Sequence, residues 1–368
     1  MDPGEKKQQN YKTPPISLLK PFFILKGRFP LLTYILTRFV TMAVLLFLLG
    51  FAIFGLMELA PGDIVDQIMI QQLFSENDNR PGRRDDAMNN LQLEARRKAL
   101  GLDQPFYIQY FRWLKRVVID HDLGVSLISR APVSHLIASR IFNSILLNLI
   151  SLVLITVFSF LLGVYFSTKA GTLADPAVTF FSLVLHAFPG ILLLILLQLF
   201  AAATGLFPVI AYPPFPFSEA PFRFVFSYMH HIFLPLLAAF LGGLGGTLRM
   251  IRATMLDQLG QPYITSLRSR GIAEWRIYLA HAFRNTLNPY ITGSANMLAG
   301  LFSGSLILEI IFAYPGIGRL MYEAVMQQDI NLVLANTMFI SFLVLLGMVI
   351  SDILLAVVDP RIRYGKDS

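Results

Sequence analysis

The sequence has no cysteine and few charged residues. Of its 368 residues only 14% are charged, whereas 55% are hydrophobic and 31 are phenylalanine. A soluble domain usually carries about 25% charged residues, so the composition argues against a water-soluble enzyme. The lack of cysteine also excludes a disulfide framework, a thiolate metal site and a thiol nucleophile. What remains is a chain of long apolar runs, as expected of a membrane protein with several spans.

Six stretches of the chain contain no Asp, Glu, Lys or Arg, and a helix needs about 20 apolar residues to cross the hydrocarbon core. The third stretch continues to Ser218, but prolines from Pro208 onward predict that its helix ends near Thr204. An even number of spans places both termini on the same side of the membrane. The predicted spans are about 35–57, 141–167, 177–204, 226–250, 287–309 and 331–354.

The positions of the charges predict that both termini face the cytoplasm. Residues 1–38 carry seven Lys or Arg against two acids, and residues 249–284 carry six Arg against two acids. The short segments 205–223 and 309–329 carry one Arg each against four acids in total. Basic residues concentrate in short cytoplasmic segments of membrane proteins. The net charge of +7 is therefore a topology signal, and nucleic acid is not needed to explain it.

The long outside loop, 58–140, balances eleven basic against eleven acidic residues. Apolar residues three and four apart predict a helix over about 107–118, whereas residues 78–90 are polar and rich in turn formers. We expect a small helical cap at the mouth of the membrane part, and packing of this cap onto its own spans explains the pattern better than contact with a ligand. Three aromatic residues are expected at the membrane interface: Tyr107, Phe111 and Trp113.

The inside segment between the fourth and fifth spans contains two short helical patterns joined at a glycine. Pro262 suits the first turn of a helix, and Gly271 suits the position just past its end, where a positive φ is needed. Exposed arginines together with tryptophan and aliphatic residues are typical of a docking surface for another protein. An amphipathic helix lying on anionic lipid explains the same composition almost equally well. After the glycine, apolar residues recur at helical spacing: Ile272, Trp275, Leu279 and Phe283.

Several sequence pieces occur in the order and spacing of a known family. Tyr263–Gly271, followed eighteen residues after that glycine by Pro289, resembles the cytoplasmic EAA loop of ABC-importer permeases. The chain from Tyr34 to Tyr364 resembles, more narrowly, the oligopeptide, dipeptide and nickel permeases. The other pieces that carry the resemblance are Tyr34–Arg38, Leu59–Asp63, Leu100–Pro105 with Gln109–Leu114, Asp122–Ser126, Glu309–Leu320 and Asp359–Tyr364.

The resemblance implies an all-α fold, the type I ABC importer permease fold with six transmembrane helices. It implies a permease domain over 34–364 with its EAA loop at 256–288, preceded by a cytoplasmic extension 1–33 and followed by a cytoplasmic tail 365–368. In the family a coupling helix, here about Ser266–Arg276, enters a groove on the ATPase subunit. Leu267 departs from the small residue that is usual there. The residues that the resemblance assigns to coupling are Tyr263, Ser266, Leu267, Arg268, Arg270, Gly271, Ile272, Glu274, Trp275 and Arg276.

The sequence contains no Gly-x-x-x-x-Gly-Lys-Ser/Thr phosphate-binding loop. The chain is therefore expected to be a transport subunit without its own ATPase site and without a cofactor, with ATP and Mg on partner subunits. By resemblance the partners are a second homologous permease, two ATP-binding subunits, an extracytoplasmic solute-binding protein and membrane lipid. The expected location is a bacterial or archaeal plasma (inner) membrane. Peptides lead among the expected cargoes, with nickel chelates and oligosaccharides as alternatives.

Polar residues inside the spans suggest a few further sites. Asn296 and Gly300 on the fifth span are candidates for the translocation path, although hydrogen bonding between helices explains the asparagine better. Ser182 and His186, one helical turn apart, suggest the alternative of an intramembrane hydrolase. A secondary carrier would more often show inverted repeats. Neither alternative explains the inside loop with its arginines and tryptophan, and no catalytic, cofactor-binding or metal-ligating residue is predicted.

Overall fold

The structure, a computed structural model, is helical almost throughout its described part. The residues it describes are 30–59, 104–287, 305–327 and 329–358, with single positions 290, 297, 300 and 301. The helices are α1 (Pro30–Leu59), α2 (Phe106–Val118), α3 (Val133–Ser167), α4 (Ala174–Ala187), α5 (Gly190–Thr204), α6 (Pro221–Leu259), α7 (Pro262–Ser269), α8 (Glu274–Arg276, a π-helical turn Ile277–Ala282, then Phe283–Thr286), α9 (Leu306–Ile311), α10 (Ile317–Met326) and α11 (Ile330–Val358).

Four helices are long and apolar enough to cross a membrane alone: α1, α3, α6 and α11. The pair α4 and α5 gives a fifth crossing if the two are taken together, although they meet at an angle of 88°. Within the described residues the structure therefore contains four spans, or five with the bent pair. The predicted fifth span, 287–309, lies for the most part outside the described residues, so the number six stays a prediction.

The bend between α4 and α5 differs from the single span that the sequence predicted over 177–204. Phe188 ends α4 with an extended backbone, and Pro189 precedes the first residue of α5. A residue before proline avoids the helical conformation, and proline itself has no N–H to donate. The break could not be predicted from the absence of charge, because the residues on both sides of it are apolar. The end of α5 at Thr204, followed by Gly205 with φ +65°, agrees with the prediction.

Glycines allow the long helix α6 to lie very close to α3 and α4. A Cβ at Gly243 would come within 2.5 Å of Ile155 on α3, and a Cβ at Gly163 within 2.6 Å of Ile251 on α6. On the other side of α6, a Cβ at Gly245 would lie 2.6 Å from the carbonyl oxygen of Ser182. Small residues are the usual means of close helix packing in a membrane. The helices α3, α4 and α6 thus form one tightly packed unit.

Helix α2 packs its aromatic face onto α1 and α11. Tyr110 is fully buried and donates a hydrogen bond to the carbonyl of Phe47 at 2.8 Å, and Trp113 is buried beside Phe54. Helical spacing of three places these two residues on the face toward α1. Trp113 therefore lies inside the protein and not on its surface, and its predicted place at the membrane interface stays a prediction. The other two predicted residues, Tyr107 and Phe111, are exposed.

Candidate functional site: the coupling segment

The segment 262–286, which follows α6 and which we call the coupling segment after its predicted role, is held in shape by a helix end of the Schellman type. Helix α7 begins with Pro262 at its first position. After Arg270, Gly271 has φ +74°, the left-handed conformation that glycine adopts without strain. The N–H of Gly271 donates to the carbonyl of Arg268, and the N–H of Ile272 donates to the carbonyl of Leu267. These two bonds define the motif, and the positive φ agrees with what the sequence predicted.

Helix α8 contains a π-helical turn that changes which side chains face the protein. In a π turn the bonds join residues five apart, so the 3.6-residue periodicity read from the sequence no longer holds through 277–282. Trp275 and Leu279 are 61% and 55% exposed, whereas Ile277 and Ala282 are fully buried. The apolar stripe predicted after Gly271 is therefore divided between two faces. Its other members turn inward: Ile272 packs on the core of the segment and Phe283 contacts the ring of Phe160.

A small core fixes the coupling segment to the end of α6. Met255 of α6, Ile264 of α7 and Ile277 of α8 are all fully buried and pack together. The amide of Asn285 also donates to the hydroxyl of Tyr263 at 3.2 Å, which joins the end of α8 to the start of α7. Both short helices consequently move with the end of α6, because separating them would expose this core.

An ion pair bridges the two helices over the glycine bend. The Arg268 guanidinium donates to both oxygens of Glu274, with Nε to Oε1 at 2.8 Å and Nη2 to Oε2 at 3.2 Å. The hydrogen bond from Arg268 lowers the pKa of Glu274, and the hydrogen bond to Glu274 raises the pKa of Arg268. Because both side chains are exposed, water screens their attraction and the pair adds little stability. Its two parallel bonds instead fix the angle between the helices.

The exposed face of the segment combines cationic and apolar groups. The Arg276 guanidinium lies 5.2 Å from the centre of the Trp275 ring, a cation–π contact. Leu279 follows one turn after Trp275 and is also exposed. Tryptophan and arginine are the residue types that most often dominate binding to another protein, and here both are exposed beside the bend.

The structure brings the ten predicted coupling residues together on one bent segment. It also shows that Leu279, which the sequence placed on the apolar stripe but not among the coupling residues, is exposed. The sequence reasoning missed the buried Ile264, Ile277 and Ala282, whose only signal was a phase shift in the apolar pattern. Tyr263, Leu267 and Ile272 are half-buried against the core of the segment. Exposed to solvent are Ser266, Arg268, Arg270, Gly271, Glu274, Trp275 and Arg276.

A second contact ties the start of α4 to the same end of α6. Asp175 forms an ion pair with Arg252 and accepts a hydrogen bond from the N–H of Gly171 at 3.0 Å. Both members of the pair are largely buried, so this pair is less screened than the one between Arg268 and Glu274. The turn between α3 and α4 is thereby connected to the base of the coupling segment.

The structure describes three of the four residues that the sequence suggested as alternative sites: Ser182, His186 and Gly300. Ser182 donates its hydroxyl to the carbonyl of Thr179 at 3.0 Å, and His186 is exposed with its ring beside Gly246. The serine proton thus goes to the backbone of its own helix and not to the histidine, which is contrary to a nucleophile–base pair. Gly300 is exposed, with open space where a Cβ would lie, and Asn296 lies outside the described residues.

Taken together, the described residues define a polytopic helical membrane protein whose 39-residue helix α6 continues into a bent surface segment. The chain belongs to the family of binding-protein-dependent transport system inner membrane components. The model of that family matches residues 155–364, and the model of its N-terminal region matches residues 31–146. The family predicted from the sequence is confirmed, and the chain is a permease component of an ABC importer and a multi-pass protein of the inner membrane.

Relatives with known names match between 74% and 91% of this chain. The oligopeptide transport system permease protein AppB of Bacillus subtilis is 33% identical over 335 residues, covering 90% of this chain and 99% of the relative. A putative peptide transport system permease protein of Brucella abortus is 34% identical over 273 residues, covering 74% and 85%. The glutathione transport system permease protein GsiC of Escherichia coli K12 is 28% identical over 335 residues, covering 91% and 100%.

Proposed function

We propose that this chain is one transmembrane subunit of an ATP-driven importer of peptides that a solute-binding protein delivers. The observation that carries the proposal is the rigid coupling segment, with its exposed Trp275 and Arg276, fixed to the end of α6 by a buried core. The named relatives support the cargo, since they transport oligopeptides, peptides or glutathione. Peptides are therefore preferred to nickel chelates and oligosaccharides.

The proposal includes the complete topology and the partners. The permease domain over 34–364 has six spans in the type I arrangement, both termini are cytoplasmic, and the EAA loop 256–288 faces the ATPase. Residues 1–33 and 365–368 are cytoplasmic. A second homologous permease completes the pore, and two partner subunits bind ATP and Mg, because this sequence has no phosphate-binding loop of its own.

The mechanism is a shift between two populated conformations. When ATP closes the two ATPase subunits, the coupling segment moves with the groove that holds it, and the bundle changes from inward-open to outward-open. The shared core of Met255, Ile264 and Ile277 transmits this displacement to α6. The binding protein releases its peptide to the outward-open state, and hydrolysis restores the inward-open state.

The decisive experiment changes the bend of the coupling segment. Proline has φ near −65°, whereas Gly271 has φ +74°, so Gly271→Pro is expected to disrupt the bend while the spans still insert. In proteoliposomes containing the whole complex, ATP-driven uptake of radiolabelled dialanine and pentaalanine should fall at least about tenfold. ATP hydrolysis stimulated by the loaded binding protein should be lost with it.

Gly260→Ala is the matched control for this experiment. Gly260 lies just before the same segment with φ −77°, and a Cβ there would meet its nearest neighbour at an ordinary 3.6 Å. Uptake by this variant should equal that of the parent. Parental uptake by Gly271→Pro would show that the coupling assignment is wrong, and uptake that does not need ATP would favour a secondary carrier.

A further inference from the structure

The segment 305–326, which we call the hook, wraps around one fully buried carboxylate. Glu309 of α9 accepts hydrogen bonds from the Ser144 hydroxyl of α3 at 2.7 Å and from the backbone N–H of Arg319 at 2.9 Å. The second bond comes from the first turn of α10, where a negative charge is favourable. A Cβ at Gly316 would overlap the Glu309 carboxylate. The chain therefore turns back tightly over its own acidic side chain.

Further bonds close the turn between α9 and α10. The N–H of Tyr314 donates to the carbonyl of Glu309 at 2.9 Å, and the Arg319 guanidinium donates to the carbonyl of Ala313 at 2.7 Å. Ala313 has φ +49°, a conformation that residues other than glycine adopt infrequently. The bonds at Glu309 and Arg319 hold this unfavourable backbone and so fix where Tyr314 lies.

Tyr314 is the contact between the hook and the bundle. Its hydroxyl donates to the carbonyl of Asn143 on α3 at 2.8 Å and lies 2.8 Å from the hydroxyl of Tyr228 on α6. The Asn143 amide in turn donates to the carbonyl of Pro315 at 2.9 Å. One side chain of the hook thus bridges the two most tightly packed helices of the structure.

The same helix α6 carries both Tyr228 and Met255, which belong to opposite ends of the protein. The two residues are 27 positions apart, which corresponds to roughly 40 Å of helix, and the helix continues through Pro235 without a break. Met255 lies in the core of the coupling segment. A displacement of that segment therefore reaches the hook through one continuous helix and the hydroxyl pair of Tyr228 and Tyr314.

A buried carboxylate is less favourable than an apolar side chain of similar volume, because taking a charge out of water raises the free energy of the folded state unless hydrogen bonds compensate. Bonds to a charged group are, however, directional and strong. A buried charged group is therefore best explained where its directional bonds select one particular arrangement of the helices around it. The surroundings of Glu309 fit this explanation, since it joins α3, α9 and α10 in one geometry.

We propose that Glu309 is a positioning residue for transport: it holds Tyr314 against Tyr228, so that motion of α6 is delivered to the hook at the outer mouth. The proposal rests on the proposed function. It predicts that neutralising Glu309 separates ATP hydrolysis from uptake, because the inner coupling segment stays intact while the outer mouth no longer follows α6.

The test is Glu309→Gln in the whole complex, reconstituted with its second permease, ATP-binding subunits and binding protein. Glutamine keeps one acceptor oxygen and turns its NH2 group, which only donates, toward the other donor, so the hook loses one of the two bonds that fix its geometry. The number of dialanine or pentaalanine molecules imported per ATP hydrolysed should fall about tenfold, while ATP hydrolysis without peptide stays at the parental rate. A purely structural role would instead lower both rates in the same proportion.

The matched control is Glu323→Gln on α10, because Glu323 pairs with the side chain of the same Arg319 at 2.7 Å but is only half-buried, whereas Glu309 is fully buried. Its imported peptide per ATP should equal the parental ratio. A parental ratio in Glu309→Gln, equal losses of uptake and hydrolysis, or the same defect in Glu323→Gln would each overturn the proposal.

A second variant decides the question if Glu309→Gln does not insert. Tyr314→Phe removes one hydroxyl and keeps the ring, and it should lower the ratio in the same direction; a parental ratio would overturn the proposal. The two levels of inference are also separable. If the parental complex imports neither peptide with ATP, the proposed function and this proposal both fail, whereas normal parental import with normal variants contradicts only the role of Glu309.

Discussion

At the scale of residues, the bend of the coupling segment depends on one glycine and one ion pair. Gly271 provides the conformation, and the two parallel bonds between Arg268 and Glu274 provide the angle. The alternative role for these two charges is a direct contact with the ATPase. Charge reversal distinguishes these roles, because an internal pair can be restored by exchanging its members whereas a contact with a partner cannot.

Arg268→Glu is expected to lower ATP hydrolysis stimulated by the loaded binding protein about two- to fivefold, the range of an exposed ion pair. The loss is expected because the new glutamate at position 268 and Glu274 place two carboxylates side by side at the bend. Exchange of both charges, Arg268→Glu with Glu274→Arg, should restore most of the activity. An exchange variant as poor as the single variant would mean that these charges contact the partner.

The direction of the pKa shift adds a pH dependence to this prediction. Because the hydrogen bond from Arg268 lowers the pKa of Glu274 in the folded protein, the pair is present above the usual pKa of a glutamate and is lost as pH falls through the lowered value. The difference between the parent and Glu274→Gln should therefore be constant from neutral to mildly acidic pH. It should disappear only at the acidic end of a stimulated-hydrolysis profile.

At the scale of elements, the sequence predicted the positions of apolar helices better than their breaks. Uncharged length located α1, α3, α6 and α11, because the need for apolar side chains in lipid leaves a strong signal. The bend at Pro189 was missed since charge does not change there. The π-helical turn in α8 was missed because no single residue type marks such a turn in the sequence.

In the coupling segment and the hook, too, local features could be read from the sequence, whereas long-range contacts could not. Pro262 and Gly271 mark helix ends by their own conformational limits, so their roles could be read from the sequence. Glu309 looked like one of several outside acids. Its role depends on Ser144, 165 residues away in the chain, and such a long-range contact cannot be inferred from local pattern.

The packing of α4 on α6 gives a prediction for stability. A Cβ at Gly245 would meet backbone atoms of Ser182 and His186 at 2.6 and 2.8 Å, and backbone cannot move aside as the end of a side chain can. Gly245→Ala should therefore destabilise the detergent-solubilised protein by about 1–3 kcal/mol, as overpacking does. The measurement is the free energy of unfolding in a denaturant titration.

Gly242→Ala is the control on the same helix. A Cβ at Gly242 would have open space within 4 Å, and alanine is a better helix former than glycine, so this variant should be as stable as the parent or slightly more stable. If both variants unfold alike, close approach between α4 and α6 does not contribute to stability.

At the scale of the whole molecule, α6 is the helix that connects the coupling segment with the hook. It is packed along its length by glycine contacts with α3 and α4, and it ends in the coupling core at one end and beside the hook at the other. A permease that must respond on one side of a membrane to ATP bound on the other needs such a connection, because coupling over tens of ångströms requires elements with discrete arrangements. The charge bias of the short segments predicts that the coupling core faces the cytoplasm.

The lack of cysteine makes the orientation directly measurable, since any introduced thiol is the only one in the chain. Ser269→Cys lies at the exposed end of α7 and Glu219→Cys just before α6. With cytoplasmic termini, a membrane-impermeant maleimide should label position 219 in intact spheroplasts and position 269 only in inverted vesicles. Ser368→Cys should behave like 269 if the number of spans after α6 is even. Labelling of 368 together with 219 would contradict six spans, because one crossing would then be missing between the coupling segment and the C-terminus.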